Sequence, residues 1–87
     1  LVIETGHFSE SWAKMATDLG IEVQTLPADW RRGAEYGALG AALAADGGHA
    51  IKAVCAVHNE TSTGMTLDLP RIRALLDETR HPALFLV

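Results

Sequence analysis

The chain has 87 residues, of which 48% are hydrophobic and 21% are charged, and its formal net charge at pH 7 is −4. This length and composition predict one folded domain with one small core and exclude a disordered segment. The basic residues are scattered, so no basic stripe is present to hold a nucleic-acid backbone. No apolar run is long enough to cross a membrane and no signal peptide is visible, so we expect a cytoplasmic protein.

The first predicted elements are a strand and a helix. Leu1–Ile3 is a short apolar run that is typical of a strand. Ser9 or Ser11 can cap the helix that follows, and Gly20 can end it in the left-handed conformation. The apolar residues of this helix recur at i, i+3, i+4 and i+7 and form one face: Trp12, Met15, Ala16 and Leu19.

A second strand and a second helix come next. The strand is predicted over 21–26, where Ile21 and Val23 alternate with polar residues. The loop "PADWRRGAE" contains a proline and a glycine, and its Trp30 and two arginines predict either a packing corner or a subunit contact. The second helix should stop at Gly47–Gly48, and its apolar face consists of Tyr36, Leu39, Ala42 and Leu43.

The third strand, third helix and fourth strand complete the pattern. Ile51–Val57 is the predicted third strand and is almost continuously apolar. It contains the single cysteine, Cys55, which has no disulfide partner and is predicted to be a small buried residue. Asp68 is the predicted N-cap of the third helix, in which Pro70 is tolerated in the first turn. The buried stripe of that helix is Ile72, Leu75 and Leu76, and Ala83–Val87 forms the last strand.

The alternation of strands and helices predicts an α/β fold with a mainly parallel sheet in a three-layer αβα arrangement. The expected strand order is 2-1-3-4, with the third and fourth strands covered on both faces. In such sheets ligands bind beyond the carboxyl ends of the strands, where the winding direction reverses. That point lies between the first and third strands, so the loops "ETGHFS" and "HNETSTG" should lie side by side.

These two loops carry more hydrogen-bonding capacity than a turn requires. The first has Gly6 for close backbone approach, Phe8 as a flat apolar face, and a helix start whose free amides attract anions. The second has neutral donors and acceptors, among them Asn59 and Thr61. A flat, polar, heteroaromatic ligand suits this combination. A metal ion does not suit it, and Glu4 stands alone where a magnesium site would need several acids. A glycine-rich phosphate-binding motif is also absent.

The segments "ETGHFSESWAKMATDLGIEV", "DWRRG" and "VHNETSTGMTLDLPRIRALLDETRHPALFLV" resemble the large domain of class V pyridoxal-phosphate-dependent aminotransferases. The serine–glyoxylate and alanine–glyoxylate group is the best match, and the resemblance covers essentially the whole chain. Phe8 is a departure, since many relatives have tryptophan at this position. Both chain ends are strand-like, so we expect residues 1–87 to be part of the cofactor-binding large domain, of fold type I, of a longer chain.

The resemblance implies pyridoxal 5'-phosphate as cofactor and assigns roles by position. Phe8 matches the aromatic residue that stacks on the pyridine ring, and Thr61 matches the hydroxyl residue near the phenolic oxygen. Asn59 matches an asparagine of the desulfurase relatives, where other aminotransferases have glycine. Gly6 and His7 lie in the same first loop and complete the expected contacts.

The resemblance also implies an activity for the parent chain. It would transfer an amino group from serine, alanine or aspartate to glyoxylate, giving glycine and a 2-oxo acid. Its partners would be these small substrates and a second copy of the chain in a homodimer, with neither nucleic acid nor membrane. The Schiff-base lysine and the aspartate on the pyridine nitrogen would follow Val87, so no catalytic residue is expected here and the isolated segment should be inactive.

Other interpretations stay open. The chain could be a flavodoxin-like small-ligand-binding module without catalysis, or part of a cysteine desulfurase-like enzyme. Phe8 could fold onto Trp12, and the loop hydroxyls could bond to the local backbone. Several polar residues have structural interpretations: His58 as a core histidine, Glu60 as a cap of a neighbouring amide or a solvated side chain, and His49 and His81 as solvated residues.

Overall fold

The computed structural model describes every residue of the chain, 1–87. Its elements, in chain order, are β1 (Val2–Glu4), α1 (His7–Asp18), β2 (Thr25–Pro27), α2 (Tyr36–Ala45), β3 (Ala53–Cys55), β4 (Asn59–Glu60), β5 (Met65–Thr66), α3 (Leu69–Glu78) and β6 (Leu84–Leu86). The predicted alternation is confirmed, with β6 as the predicted fourth strand. The segment predicted as a polar loop contains a two-stranded antiparallel hairpin, β4–β5.

The strands outside the hairpin form one four-stranded parallel sheet in the order β2-β1-β3-β6. The predicted order 2-1-3-4 is therefore confirmed. Val2 of β1 lies opposite Thr25 of β2 on one side and Cys55 of β3 on the other. Because β1 and β3 are parallel neighbours, the segments that leave their carboxyl ends begin at the same edge of the sheet.

The helices lie on both sides of the sheet, which confirms the three-layer arrangement. Successive strand residues face opposite sides, so Ile3 and Val54 point to one layer while Val2 and Cys55 point to the other. α2 and α3 pack against each other on the first side, and α1 contacts β1. The core on the α2–α3 side contains nine buried residues: Ile3, Leu39, Leu43, Val54, Ala56, Leu67, Ile72, Leu76 and Ala83.

The α1 side of the sheet is only partly covered, so the expectation that the third and fourth strands are buried on both faces is wrong. Leu84 is 64% exposed and Leu86 is 40% exposed, and Cys55 is half-buried. The physical reason is that α1 is the only helix on this side. An open groove of about 660 Å³ lies beside α1, and Trp12 is among its lining residues. Burial raises the pKa of the Cys55 thiol.

The helix ends follow local chemistry with one exception. Gly20 follows the end of α1 with φ of 83°, and Asp68 accepts a hydrogen bond from the Arg71 N–H at 3.0 Å, as predicted. The exception is the start of α1, where Gly6 is the N-cap and both Ser9 and Ser11 lie inside the helix. α2 ends at Ala45 with Asp46 as its C-cap, just before the predicted Gly47–Gly48 stop.

His81 and Asp46 join the end of α2 to the start of β6. The His81 side chain is 1% exposed, so the expectation of a solvated residue is wrong, whereas His49 is exposed as expected. His81 Nδ1 accepts from the Ala83 N–H at 3.2 Å, so in the neutral ring Nε2 carries the proton and donates to Asp46 Oδ2 at 2.8 Å. The Asp46 carboxylate also accepts from the Ala50 and Ile51 N–H groups.

Replacing Asp46 with asparagine is expected to lower the melting temperature of the full-length protein at neutral pH. The N–H of Ile51, then the His81 ring and the Ala50 N–H, lower the pKa of Asp46 from 3.8 to about 2. Because folding lowers the pKa of Asp46, its carboxylate stabilises the folded state fully above pH 3.8. This contribution is lost as the pH falls towards about 2.

Thermal unfolding of wild type and Asp46→Asn at a series of pH values tests this prediction. The difference in melting temperature should narrow as the pH falls below 3.8. The control is Asp18→Asn, which removes an exposed ion pair with Lys14 and should have little effect. A difference that is the same at every pH would contradict the prediction.

Candidate functional site

The two loops that the sequence analysis singled out are in direct contact at the carboxyl edge of the sheet. The His7 N–H donates to Ser62 Oγ at 2.9 Å, and the Phe8 N–H donates to Glu60 Oε2 at 3.2 Å. Thr63 Oγ1 donates to the carbonyl oxygen of Thr5 at 3.0 Å. The start of α1 and the β4–β5 hairpin therefore form one continuous surface, as predicted.

Glu60 is the residue that joins these two segments. It is 1% exposed, and one carboxylate oxygen accepts from the Ser9 N–H at 3.0 Å and from Ser9 Oγ at 3.1 Å. The other oxygen accepts from the Phe8 N–H and from Ser62 Oγ, the latter at 3.3 Å. The interpretation of Glu60 as a cap of neighbouring amides is thus confirmed, and the cap belongs to a helix 51 residues away in sequence.

The amides at the start of α1 are not free, contrary to the expectation from the sequence. Those of Phe8 and Ser9 bind Glu60, and that of His7 binds Ser62. The favourable electrostatics of a helix N-terminus are satisfied by a carboxylate of the same chain. This helix start therefore does not offer an open anion site.

Glu60 remains charged despite its burial. Desolvation disfavours the carboxylate and acts to raise the pKa of Glu60. The hydrogen bonds from the Ser9 and Phe8 N–H groups and from the Ser9 and Ser62 hydroxyls act in the opposite direction, and the net result is a pKa below the ordinary value. The site thus contains a buried, negatively charged acceptor with four donors around it.

Gly6 leaves the space that Glu60 occupies. A Cβ atom at Gly6 would lie 2.6 Å from Glu60 Cγ, 2.8 Å from Glu60 Cδ and 2.6 Å from Ser62 Oγ. All three distances are shorter than a carbon atom tolerates. The close approach predicted for Gly6 therefore involves at least the Glu60 side chain, and its contact with a cofactor stays a prediction.

The hydroxyl groups of the second loop divide into two kinds. Ser62 and Thr63 are used by the fold, since they bond to His7 N–H and to the Thr5 carbonyl respectively. The Thr61 side chain makes no hydrogen bond within the chain and belongs to an exposed residue, so its hydroxyl is free to bind a ligand. In the first loop, by contrast, the Thr5 hydroxyl is buried and has no hydrogen-bond partner.

The remaining candidates lie on the same surface. Phe8 is 51% exposed, and its ring contacts the His7 ring edge-on with centroids 6.0 Å apart. No aromatic ring pair joins Phe8 to Trp12. Asn59 is exposed, and its Oδ1 accepts from Thr66 Oγ1 at 3.2 Å, which leaves its amide NH₂ available. His58 is exposed, so its interpretation as a core histidine is wrong.

The surface has the chemistry of a shelf for a planar polar group. Phe8 exposes an apolar ring at the start of α1, and the hairpin bonded to that helix start exposes the Thr61 hydroxyl and the Asn59 amide. No group of three or more histidine, cysteine or acidic side chains in the chain could hold a metal ion. The groove beside α1 is a separate feature, because residues such as Gln24 and Lys52 line it at the amino ends of β2 and β3.

The sequence predicted that the two loops meet and that Glu60 could cap an amide, but not that Glu60 caps the start of α1. Its signal was present: a single carboxylate in a loop predicted to lie beside a helix start is the residue type that such a helix end favours. Ser9 was recognised as a capping residue but assigned to the wrong position. Its hydroxyl accepts from the Thr5 and Gly6 N–H groups at 2.8 and 3.0 Å, one turn inside the helix.

Comparison with known proteins identifies relatives along the whole chain, although no protein-family model matches it. A serine–glyoxylate aminotransferase of Arabidopsis thaliana is 45% identical over 82 residues, which are 94% of this chain and 20% of that protein. A serine–glyoxylate aminotransferase of Methylorubrum extorquens is 42% identical over all 87 residues, which are 22% of its length.

A third relative is named for a different amino donor. An L-aspartate–glyoxylate aminotransferase of Paracoccus denitrificans is 38% identical over the whole chain and 22% of its own length. The chain thus spans about a fifth of the length of the curated relatives it matches. The resemblance to the glyoxylate aminotransferases is confirmed.

No helix in the structure is long and apolar enough to span a membrane.

Proposed function

Because the chain is homologous over its whole length to a segment of the serine–glyoxylate aminotransferases, we propose that it is part of the cofactor-binding large domain of such an enzyme. The parent enzyme transfers an amino group from a small L-amino acid, namely serine, alanine or aspartate, to glyoxylate. Its cofactor is pyridoxal 5'-phosphate, and it functions as a homodimer in the cytoplasm. The names of the relatives support the glyoxylate acceptor.

The observation that supports this proposal is that an exposed ring and an exposed hydroxyl with no partner in the chain lie on two segments bonded to each other. Phe8 is half-exposed on the first turn of α1, and Thr61 directly follows the residue that bonds to the Phe8 backbone. An aromatic plane suits the pyridine ring, and a neutral hydroxyl suits its phenolic oxygen. The residues present therefore fit the cofactor.

The residues of this chain bind and orient the cofactor and do not carry out chemical steps themselves. When bound, pyridoxal phosphate supplies an electron sink conjugated to the α-carbon of the amino acid. Phe8 would fix the plane of the ring, and Thr61 would donate or accept a hydrogen bond at its edge. Asn59, through its free amide, and His7, at the mouth of the loop, would complete the contacts, with Gly6 allowing close backbone approach.

Two alternatives have less support. A binding module without catalysis would not account for three relatives that are named as aminotransferases. A cysteine desulfurase would agree with Asn59, since desulfurase relatives have asparagine at this position. The S-T-G end of the loop and the names of the relatives favour the aminotransferase.

Replacing Phe8 with alanine in the full-length protein is expected to weaken binding of pyridoxal phosphate and to shift its visible absorbance. A stacked ring contributes about 0.5–1.5 kcal/mol beyond its buried area, which corresponds to roughly a two- to twelvefold loss in affinity. Titration of the cofactor-free protein with pyridoxal phosphate, followed by absorbance, measures this loss.

Two matched variants test whether binding needs the flat ring of Phe8 or only its apolar surface. Phe8→Leu keeps the apolar surface but removes the plane and should behave like alanine in the spectrum, whereas Phe8→Trp should keep affinity. Thr61→Val should cost roughly 1 kcal/mol, about a fivefold loss, and Thr61→Ser should restore it. Unchanged affinity and spectrum in Phe8→Ala would remove the stacking role.

A further inference from the structure

The proposed cofactor contacts come from two segments that are far apart in sequence. His7 and Phe8 belong to the start of α1, while Asn59 and Thr61 belong to the β4–β5 hairpin. We propose that Glu60 is a positioning residue that holds these two segments in register, so that the ring of Phe8 and the hydroxyl of Thr61 face the same ligand. This inference rests on the proposed function.

The geometry of the carboxylate supports this role. Both oxygens accept from α1: Oε1 from the Ser9 N–H at 3.0 Å and Oε2 from the Phe8 N–H at 3.2 Å. The same oxygens bind Ser9 Oγ at 3.1 Å and Ser62 Oγ at 3.3 Å, so the hairpin and the helix share one acceptor group. Because Glu60 lies between Asn59 and Thr61 in the chain, a displacement of Glu60 moves both of them relative to Phe8.

The residue type matters as well as the position. A carboxylate only accepts, and it faces the Phe8 and Ser9 N–H groups and the Ser62 hydroxyl as donors, while the Ser9 hydroxyl shares its one proton between Glu60 and the Gly6 carbonyl oxygen at 2.8 Å. A glutamine of the same shape would turn its NH₂ group towards an N–H donor and would lose the negative charge at the positive end of the helix. Gly6 supports the arrangement from the other side, since a Cβ there would collide with the Glu60 stem.

The strength of the constraint predicts its effect on binding. Charge-assisted hydrogen bonds are roughly twice as strong as neutral ones, and Glu60 makes them in a buried site. Displacement of the two segments can cost at most what the Phe8 and Thr61 contacts contribute together, which is roughly ten- to sixtyfold in affinity. We therefore expect Glu60→Gln to weaken pyridoxal phosphate binding by roughly three- to tenfold, although Glu60 is not itself among the proposed cofactor contacts.

The test uses the full-length protein, freed of its cofactor and titrated with pyridoxal phosphate. Three properties are measured for wild type and Glu60→Gln: the dissociation constant, the visible circular dichroism of the bound cofactor, and hydrogen exchange of the amides of 7–10. The control is Ile72→Ala, a variant of the core on the α2–α3 side of the sheet. It should lower the melting temperature of the protein. It separates a positional effect from a general loss of stability.

The expected result is a weaker dissociation constant, an altered dichroism spectrum and faster exchange at Phe8 and Ser9 in Glu60→Gln alone. Equal losses of affinity in Glu60→Gln and Ile72→Ala, or wild-type binding by Glu60→Gln, would overturn the positioning role. If Glu60→Gln does not fold, Ser62→Ala replaces it. A smaller loss of affinity is then expected, and wild-type affinity in Ser62→Ala would overturn the positioning role. A wild-type protein that does not bind pyridoxal phosphate would refute the proposed function, and the positioning role with it.

Discussion

Replacing Gly6 with alanine is expected to lower the free energy of unfolding of the full-length protein by about 3 kcal/mol. The new methyl group would lie 2.6 Å from Glu60 Cγ and from Ser62 Oγ. Overpacking of a buried site costs about 1–3 kcal/mol, and a displaced Glu60 would leave the Phe8 and Ser9 N–H groups unpaired, at about 1–3 kcal/mol each. Glu60 cannot turn aside cheaply, because its carboxylate is bonded at both oxygens.

The matched control for this prediction is Gly37→Ala. Gly37 lies in α2, and a Cβ atom there meets nothing within 4 Å. Alanine has a higher helix propensity than glycine, so this variant should be stabilised by a few tenths to about 1 kcal/mol. Chemical denaturation of both variants measures the two opposite effects. A Gly6→Ala variant as stable as wild type would show that the contact between Gly6 and Glu60 does not constrain the fold.

Truncation of Ile72 to alanine should cost about 2–5 kcal/mol, because it removes buried methyl groups and leaves a cavity. Ile72 is fully buried in α3 and belongs to the core beneath the sheet. That core also contains Ile3 of β1 and Val54 of β3, the two strands whose carboxyl ends lead to the candidate site. Loss of packing there should lower the stability of the fold as a whole.

A graded series tests whether packing is the cause. Ile72→Val removes one methylene and should cost about 0.5–1.5 kcal/mol, well below the cost of Ile72→Ala. The midpoint of denaturation should fall in the order wild type, valine, alanine, while the slope of the transition stays constant. A loss below about 0.5 kcal/mol for Ile72→Ala would be typical of an exposed site and would contradict the assignment of Ile72 to the core.

Local patterns along the chain determined the architecture. The apolar face of the third helix predicted that Ile72, Leu75 and Leu76 are buried; Ile72 and Leu76 are, and Leu75 is half-buried. Asp68 predicted the start of that helix, because an N-cap needs only a side-chain oxygen and the amide three residues later. The alternation of strands and helices then predicted the order 2-1-3-4, since right-handed crossovers allow few other topologies.

The same local patterns predicted that the two loops with the candidate residues meet at one edge of the sheet, and they do. Parallel neighbours bring their carboxyl ends together, so the loops that contain Phe8 and Thr61 had to meet if β1 and β3 were adjacent. The quoted motifs also sufficed for the resemblance to glyoxylate aminotransferases. What a residue type can do, and roughly where it lies, was therefore available from the sequence.

Only the tertiary structure decided how the polar groups are shared. Glu60 bonds to residues 51 and 52 positions away, and His81 bonds to Asp46 across 35 positions. Spacing in the sequence has no information on such partners, because a hydrogen bond depends on positions within a few tenths of an ångström. For the same reason the open α1 side of the sheet was not foreseen: an apolar strand has the same composition whether one or two of its faces are covered.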